Sequence, residues 1–183
     1  MGCFCAPSGG HVMRMSDDAF DTLMSSADPP LIVLTTTAED ERAGCLVGFH
    51  AQASITPERY CVWLSKANHT YRVSLRAAHF AVHFLGADDL AVAERFGTQS
   101  GEDTDKFDGI EVDLDEHGVP LLRACPNRMS LDRIAVLDDG GDHVCITARV
   151  TSANAVADFV PLRVSSATHL DPGHDSEERA IEP

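Results

Sequence analysis

The sequence predicts a mainly β (α+β) domain in which about six short strands form a closed sheet with helices packed at its side. Two observations lead to this fold class. Short apolar or alternating runs bounded by turn residues, which are typical of strands, recur along the chain. Only two or three segments show the apolar spacing of a helix. The 183 residues fit one domain with a sizeable core, and no linker or internal repeat divides them.

The first half of the chain predicts one helix and three strands. The helix begins after Ser16, a favourable N-cap residue, and ends at Asp28-Pro29-Pro30, because a residue before proline avoids helical angles. The predicted strands cover residues 31–37, 44–55 and 61–64, and Pro57 closes the loop after the second of them.

The second half of the chain predicts two helices and three further strands. The helices cover about residues 70–78 and 88–96, the second with Gly97 just past its end. A strand at residues 79–85 lies between them, and an acidic loop with eight acids and one lysine follows at residues 98–118. The last two strands pair across the turn Asp138-Asp139-Gly140-Gly141. In the first of these strands the apolar residues change from odd to even positions, which a bulge near Asp132-Arg133 would explain.

Both ends of the chain differ in composition from its middle. Residues 1–15 contain Gly9-Gly10 and no regular pattern, so we expect a flexible N-terminal segment. Residues 16–163 form the predicted domain. From about Val164 the sequence turns polar, and we expect residues 164–183 to be an acidic C-terminal tail that is disordered or docked on a partner.

The charge of the chain excludes several classes of function. Its 29 acidic and 14 basic residues give a net charge of −15, which repels nucleic acid and anionic membrane surfaces. No apolar run approaches the roughly 20 residues of a membrane span, and the N-terminus lacks the pattern of a signal peptide. The six cysteines form no disulfide framework and the nine histidines no zinc-like cluster, so we expect a cytoplasmic protein without a bound metal.

A strand of unusually small side chains is the first candidate binding element. Gly44 and Gly48 are followed by Ala51, Ala53 and Ser54, where a strand would favour bulky residues. Small residues weaken a strand unless something approaches its backbone closely, as a flat ring would. A tight bend at a barrel corner explains the same pattern, and the residues alone do not choose between the two.

A polar turn before the helix predicted at residue 70 is the second candidate. Ser65, Lys66, Asn68 and Thr70 offer hydroxyl, amide and ammonium donors just ahead of a helix start, which together suit a phosphate. The alternative is simple N-capping of the helix by Ser65, Asn68 or Thr70.

The two candidate elements, taken with motifs further along, resemble the flavin-reductase-like family of FMN-binding split barrels over about residues 17–155. The segments that carry the resemblance follow in the family's order: 44–48, Ser54-Ile55-Thr56-Pro57, Asn68-His69-Thr70, Asp105-Lys106-Phe107, Pro120-Leu121-Leu122 and Gly141-Asp142-His143. The chain departs from the family at Thr56-Pro57-Glu58, which has one proline where two are usual. It departs again at Gly48-Phe49-His50, where small hydroxyl residues are common.

The resemblance implies a six-stranded split β-barrel with flanking helices and a set of site residues. It places the ring of FMN, with FAD as an alternative, against Gly48, Phe49, His50, Ala51, Ala53 and Ser54. It assigns the phosphate to Ser65, Lys66, Asn68 and Thr70, and it places Lys106 and Phe107 near the rim of the pocket. His143 is the candidate catalytic residue, near the flavin and the nicotinamide; alternatively, it is a turn histidine that caps the hairpin.

The activity that the resemblance implies is NAD(P)H:flavin oxidoreductase, with NADH or NADPH as a transient hydride donor. Hydride transfer between two rings is cofactor chemistry, which explains why the sequence needs no catalytic dyad or triad. The family habit implies a homodimer, and a monooxygenase is one partner that would receive reduced flavin. Two other functions stay open: an FMN- or deazaflavin-dependent reductase of another small molecule, and a flavin-binding or electron-transfer protein without turnover.

Overall fold

The computed structural model describes residues 17–156, 158–171 and 173. Ser16, residues 1–15 and residues 174–183 lie outside the described part, and so does the expected N-terminal segment. In chain order the elements are α1 Asp17–Ala27, β1 Ile32–Ala38, β2 Glu41–Val47, β3 His50–Ser54, β4 Arg59–Ser65, α2 His69–Ser74, β5 His79–Phe84, α3 Leu90–Thr98, β6 Val112–Leu114, β7 Pro120–Leu122, β8 Arg128–Leu137, β9 His143–Asn154 and a 3₁₀ helix at Val164–Ala167. Among the described residues, no helix has the length and apolar character needed to cross a membrane.

The main sheet is antiparallel and curls into a split barrel. Its strand order is β2-β1-β5-β8-β9-β4-β3. The two edge strands, β2 and β3, are consecutive in the chain and are joined at Gly48-Phe49. The sheet therefore curves until its two edges meet end to end at this bend.

The strand count differs from the prediction. The main sheet has seven strands instead of six, because the strand expected at residues 44–55 breaks at Gly48-Phe49 into β2 and β3. A second sheet pairs β6 with β7 inside the segment expected to be an acidic loop. The mainly β architecture with a few helices is confirmed.

The core consists of two apolar clusters on opposite faces of β1. Ile32 and Leu34 pack inside the barrel, and Leu31 and Val33 pack outside it, because successive strand residues point to opposite faces. The inner cluster includes Val62, Leu64, Phe80, Val82, Leu131 and Ile146. The outer cluster includes Leu85, Phe96, Phe107, Leu122 and Leu162, which join α3 and the β6–β7 hairpin to the barrel.

Long-range contacts shift both predicted internal helices. α2 ends at Ser74 instead of residue 78, where the Arg133 guanidinium donates to the carbonyls of Ser74 and Leu75 at 2.8 and 3.1 Å. α3 continues through Gly97 to Thr98. A methyl group at Gly97 would lie 2.9 Å from Cδ2 of Leu46, so the glycine permits close packing of the helix on β2.

The predicted bulge and the predicted tail have different outcomes. The register of β8 against β9 shifts between Ser130 and Leu131 and again between Arg133 and Ala135, on either side of the predicted bulge. Residues 164–171, expected to begin a disordered or partner-docked tail, instead pack on the barrel. Ala167 and Leu170 contact the outer cluster, and Asp28 binds Ser165.

Candidate functional site

A cleft of about 790 Å³ lies where the β2–β3 bend meets the ends of three other elements. Its walls come from β2 and the bend, the end of β4 with the following turn, the end of α3, the start of β9 and residues 164–171. The lining residues are Leu31, Cys45, Leu46, Val47, Gly48, Phe49, Trp63, Leu64, Ser65, Asn68, Phe96, Gly97, His143, Val164, Ala167, Thr168, Leu170 and Asp171.

Five of the residues predicted to form the site line this cleft together. They are Gly48, Phe49, Ser65, Asn68 and His143. The sheet brings them together because β4 pairs with both β3 and β9, so that Ser65 lies opposite His143 and Trp63 bonds to Phe49 through its backbone N–H. The β2–β3 bend and the polar turn therefore face the same space.

The His143 side chain lies beside Phe49 at the start of β9. The ring centroids of the two side chains are 5.1 Å apart, and Nδ1 of His143 lies 2.9 Å from Oδ1 of Asp142. Because a carboxylate only accepts, Nδ1 donates, which leaves Nε2 for a ligand. The same hydrogen bond lowers the pKa of Asp142, so the carboxylate stays ionised and keeps the imidazole in this tautomer.

The polar turn caps α2 and also faces the cleft. Oδ1 of Asn68 accepts from the backbone N–H of Thr70 at 2.9 Å, and Oγ of Ser65 accepts from that of Ala67 at 3.3 Å. N-capping is thus present, while the Nδ2 donors of Asn68 and the hydroxyl proton of Ser65 are not used by these bonds. Lys66 lies outside the lining, with Nζ 2.8 Å from Asp138. Thr70 is buried beneath the turn.

The residues of β3 that were predicted to contact the flavin ring lie outside the cleft. His50 points inward, where it donates through Nε2 to the Pro30 carbonyl at 2.9 Å and accepts through Nδ1 from the Tyr60 hydroxyl at 2.6 Å. These two bonds satisfy both ring nitrogens of a half-buried side chain. Ala51 and Ala53 are exposed on the edge strand, and Ser54 ends it.

Lys106 and Phe107 lie beneath the cleft instead of at its rim. The Lys106 ammonium, 4% exposed, donates to the carbonyls of Gly44 and Phe96 at 3.2 and 3.1 Å, and burial lowers its pKa. It thereby ties β2 to α3, two elements that flank the cleft. Phe107 packs edge-on against Phe96 with centroids 5.5 Å apart. Both residues face a second, polar cleft of about 400 Å³ on the far side of β2.

One wall of the cleft was missed at the sequence level. Residues 164–171, which we call the strap, contribute Val164, Ala167, Thr168, Leu170 and Asp171. The only signal in the sequence is a few apolar residues within a polar stretch, which does not separate a docked segment from a free one. Trp63, which neighbours Phe49 in the lining, falls in a segment that the sequence predicts only as a strand, at residues 61–64.

The chemistry of the lining fits a planar ring with a polar tail. The volume lies within the range of about 300–1,000 Å³ that small ligands occupy, and apolar side chains with a few convergent polar groups are typical of such sites. Phe49 and Trp63 provide aromatic surface, and Ser65, Asn68 and His143 provide donors and acceptors.

Comparisons with known proteins identify relatives of this chain. The FMN reductase (NADH) SmoA of Agrobacterium fabrum is 27% identical over 135 residues, which cover 74% of this chain and 75% of that protein. The reductase subunit HsaB of a flavin-dependent monooxygenase from Rhodococcus jostii is 28% identical over 135 residues, 72% of this chain and 66% of that protein. A flavin reductase domain protein from Arthrobacter sp. FB24 has the same fold, with a TM-score of 0.73 at 19% identity, over 82% of this chain and 91% of that chain.

A family model described as the flavin reductase like domain matches residues 24–163. The match includes the β2–β3 bend, the polar turn and the start of β9, and it ends one residue before the strap. It covers most of the chain. The chain therefore belongs to the flavin reductase-like domain family.

Proposed function

We propose that this chain is an NAD(P)H:flavin oxidoreductase that binds FMN in the cleft beside the β2–β3 bend. The observation that carries the proposal is the convergence of Phe49, Ser65, Asn68 and His143 on one cleft, inside a domain that matches flavin reductases. A bound flavin supplies the chemistry of accepting a hydride from NADH or NADPH and passing its electrons to an acceptor. FMN is preferred to FAD here because the relative SmoA is named for FMN.

The chain's own residues would bind and orient the two rings. Phe49 and Trp63 offer aromatic surface against which a ring can pack, and the backbone of β2 forms the adjoining wall. The Asn68 amide and the Ser65 hydroxyl would donate to the phosphorylated tail, and Lys66 would reach it after leaving Asp138. His143, oriented by Asp142, would donate or accept through Nε2 where hydride donor and acceptor meet.

A role as the reductase component of a two-component monooxygenase is supported by one class of relatives. HsaB is named as the reductase subunit of a flavin-dependent monooxygenase. A structural relative from Mycobacterium thermoresistibile, with a TM-score of 0.69, is described as component B of nitrilotriacetate monooxygenase. In this role the protein releases reduced flavin to a monooxygenase partner, so the flavin must enter and leave the cleft in each turnover.

Two measurements on the purified protein test the proposed function. The first is a titration with FMN followed by the visible spectrum and flavin fluorescence, with FAD and deazaflavin in parallel. The second is NADH or NADPH oxidation in the presence of free FMN. Turnover with FMN supports the reductase. Tight flavin binding without NADH or NADPH oxidation would instead favour a binding or electron-transfer protein, and selective deazaflavin binding would favour a reductase of another small molecule.

We also propose that two copies of this chain associate through the end of β8. Residues 133–137 of β8 pair only with β9 among the described strands, and they expose Ile134, Val136 and Leu137. An apolar strand edge of this kind favours association. Leu137→Lys should convert a dimer to a monomer in analytical ultracentrifugation, whereas Leu114→Lys, at a leucine that is equally exposed at 61%, should not. A wild-type monomer would overturn the proposal.

A further inference from the structure

The strap adds a wall to the cleft beyond the part of the chain that the family model matches. The family match ends at residue 163, and the strap begins at Val164. Its side chains nevertheless line the same cleft as Phe49 and His143.

Asp28 fastens the strap from the other end of the domain. Its carboxylate accepts two hydrogen bonds from Ser165, one from the backbone N–H and one from the hydroxyl, both at 2.8 Å. The Asp28 carbonyl accepts from Arg163 at 2.7 Å. Asp28 has a φ of 42°, a left-handed conformation that aspartate and asparagine tolerate better than most residues. Three bonds thus converge on one residue at the base of the strap.

The strap closes over the wall where a ring would have to lie. A methyl group placed on Gly48 would be 3.6 Å from Cγ2 of Val164 and 3.7 Å from Cδ2 of Leu31. The space above Gly48 therefore takes one carbon atom in ordinary contact. A ring packed directly on the Gly48 backbone needs about 3.5–4.0 Å on each of its two faces, so Val164 must move outward to admit a ring at this point of the cleft.

We propose that the strap is a gate over the cleft and that Asp28 is the positioning residue that holds the gate closed. The identity of the ligand as flavin rests on the proposed function, but the gate itself does not. Opening requires loss of the Asp28–Ser165 bonds and of the adjoining bond from the Val164 N–H to the Pro29 carbonyl at 3.1 Å, and it lifts Val164 from Gly48. Closure brings Leu170 and Ala167 back onto the outer core cluster.

The first test follows the gate without any ligand. Trp63 lines the cleft and is the only tryptophan of the chain, so its quenching by acrylamide reports access to the cleft. Ser165→Ala, which removes the hydroxyl bond, and Asp28→Gly, which removes both bonds and tolerates the positive φ, should each raise the quenching constant about twofold or more. Ser166→Ala is the matched control, since Ser166 is an exposed strap residue outside the lining, and its value should equal that of the wild type. Equal quenching in all four proteins would overturn the gate.

The second test measures FMN exchange by stopped-flow fluorescence. If the strap must lift for entry and exit, both variants should raise the association and dissociation rate constants of FMN together, by about tenfold, with a smaller change in Kd. The double variant Asp28→Gly with Ser165→Ala should be no faster than Asp28→Gly alone, because Asp28→Gly already removes both bonds to Ser165. Rate constants that match the wild type would count against the gate.

The outcomes of the two tests separate the gate from the proposed function. A wild-type protein that does not bind FMN, with quenching that still rises in the variants, would remove the flavin assignment and keep the gate. FMN binding with no change in quenching or exchange would do the reverse. Melting temperatures of the variants, expected to stay close to that of the wild type because Ser165 is exposed, exclude general unfolding as the cause.

Discussion

At the scale of single residues, two histidines show how context decides a role. His143 lies at the cleft with one ring nitrogen held by Asp142. His83 is fully buried in β5, and its Nε2 lies 3.2 Å from Oγ1 of Thr35. The Thr35 hydroxyl already donates to the Pro120 carbonyl at 2.6 Å, so Nε2 must be the donor to Thr35. His143 is therefore available for chemistry and His83 is not.

We expect His143→Ala to slow reduction more than it weakens binding. The NADH-dependent reduction of FMN should fall at least about tenfold, while the Kd for FMN changes by less than about threefold, because the imidazole acts on the hydride donor more than on the flavin. Stopped-flow reduction and fluorescence titration measure the two quantities. His117→Ala, a change outside the cleft, serves as control. A parental reduction rate in His143→Ala would remove this residue from the mechanism.

We expect His83 to make folding sensitive to acid. Burial lowers its pKa from 6.5 to about 4. Between these values the unfolded chain binds a proton that the folded chain excludes, so the free energy of unfolding falls as the pH drops from about 6.5 to 4, by about 3 kcal/mol for this group. His83→Gln keeps a donor toward Thr35 without the titration. Urea unfolding at pH 7 and pH 5 should show a smaller loss in the variant than in the wild type, and equal losses would contradict the expectation.

At the scale of elements, the bend between β2 and β3 sets the geometry of the cleft. It closes the barrel, exposes Phe49 toward His143 and turns His50 inward onto Tyr60. On its β2 side, α3 packs so closely that Gly44 and Gly97 leave no room for side chains. Gly44 of β2 and Gly48 of the bend therefore have different roles, since Gly44 permits helix packing and Gly48 lies under the strap.

Alanine at these two glycines should separate the tasks. A methyl group at Gly44 would lie 2.8 Å from Cε1 of Phe96 and 3.1 Å from the Leu34 carbonyl oxygen, so Gly44→Ala should lower the free energy of unfolding by about 1–3 kcal/mol. Gly48→Ala meets only ordinary contacts and should change it by less than about 0.5 kcal/mol. Chemical denaturation of both variants measures the difference. Similar losses at the two positions would show that the bend, and not the helix contact, limits stability.

The sequence predicts elements that depend on local pattern and misses features that depend on distant contacts. The alternation of apolar and polar residues predicts most strands, and the change in this alternation along β8 predicts its bulge. The end of α2 depends on Arg133, which lies far along the chain, and the inward turn of His50 depends on Tyr60. The strap was missed for the same reason, because Asp28, its anchor, precedes it by more than a hundred residues. The resemblance predicted five residues that line the cleft. It also named His50, Ala51, Ala53 and Ser54 of β3, which lie outside the cleft.

At the scale of the whole molecule, the net charge of −15 acts against the proposed ligands. FMN and nicotinamide dinucleotides are anions, and several acids stand near the cleft, among them Asp138, Asp142 and Asp171. Lys66 is the nearest basic residue in the polar turn and is paired with Asp138. Binding must therefore depend on local donors, and the long-range field slows the approach of the ligand.

We expect salt to accelerate the binding of FMN. Screening shortens the range of repulsion from about 30 Å at 0.01 M to about 8 Å at 0.15 M ionic strength, so the association rate constant should rise by about two- to threefold over this interval. Riboflavin lacks the phosphate and should show little dependence on salt. Stopped-flow association at several salt concentrations gives both slopes. A rate that falls with salt would point to a basic site that attracts the phosphate.

The contact between Pro30 and Arg163 also has a consequence for how this fold can be joined to others. The two residues form an antiparallel bridge, and Leu31 donates to Leu162 at 2.7 Å, so the chain enters and leaves the barrel side by side. A domain with adjacent entry and exit can be inserted into a surface loop of a host protein without stretching either one. The same adjacency allows circular permutation, with the old ends linked and the chain reopened at the exposed hairpin Gly140-Gly141. The path of the backbone therefore suits fusion of this domain to a host protein.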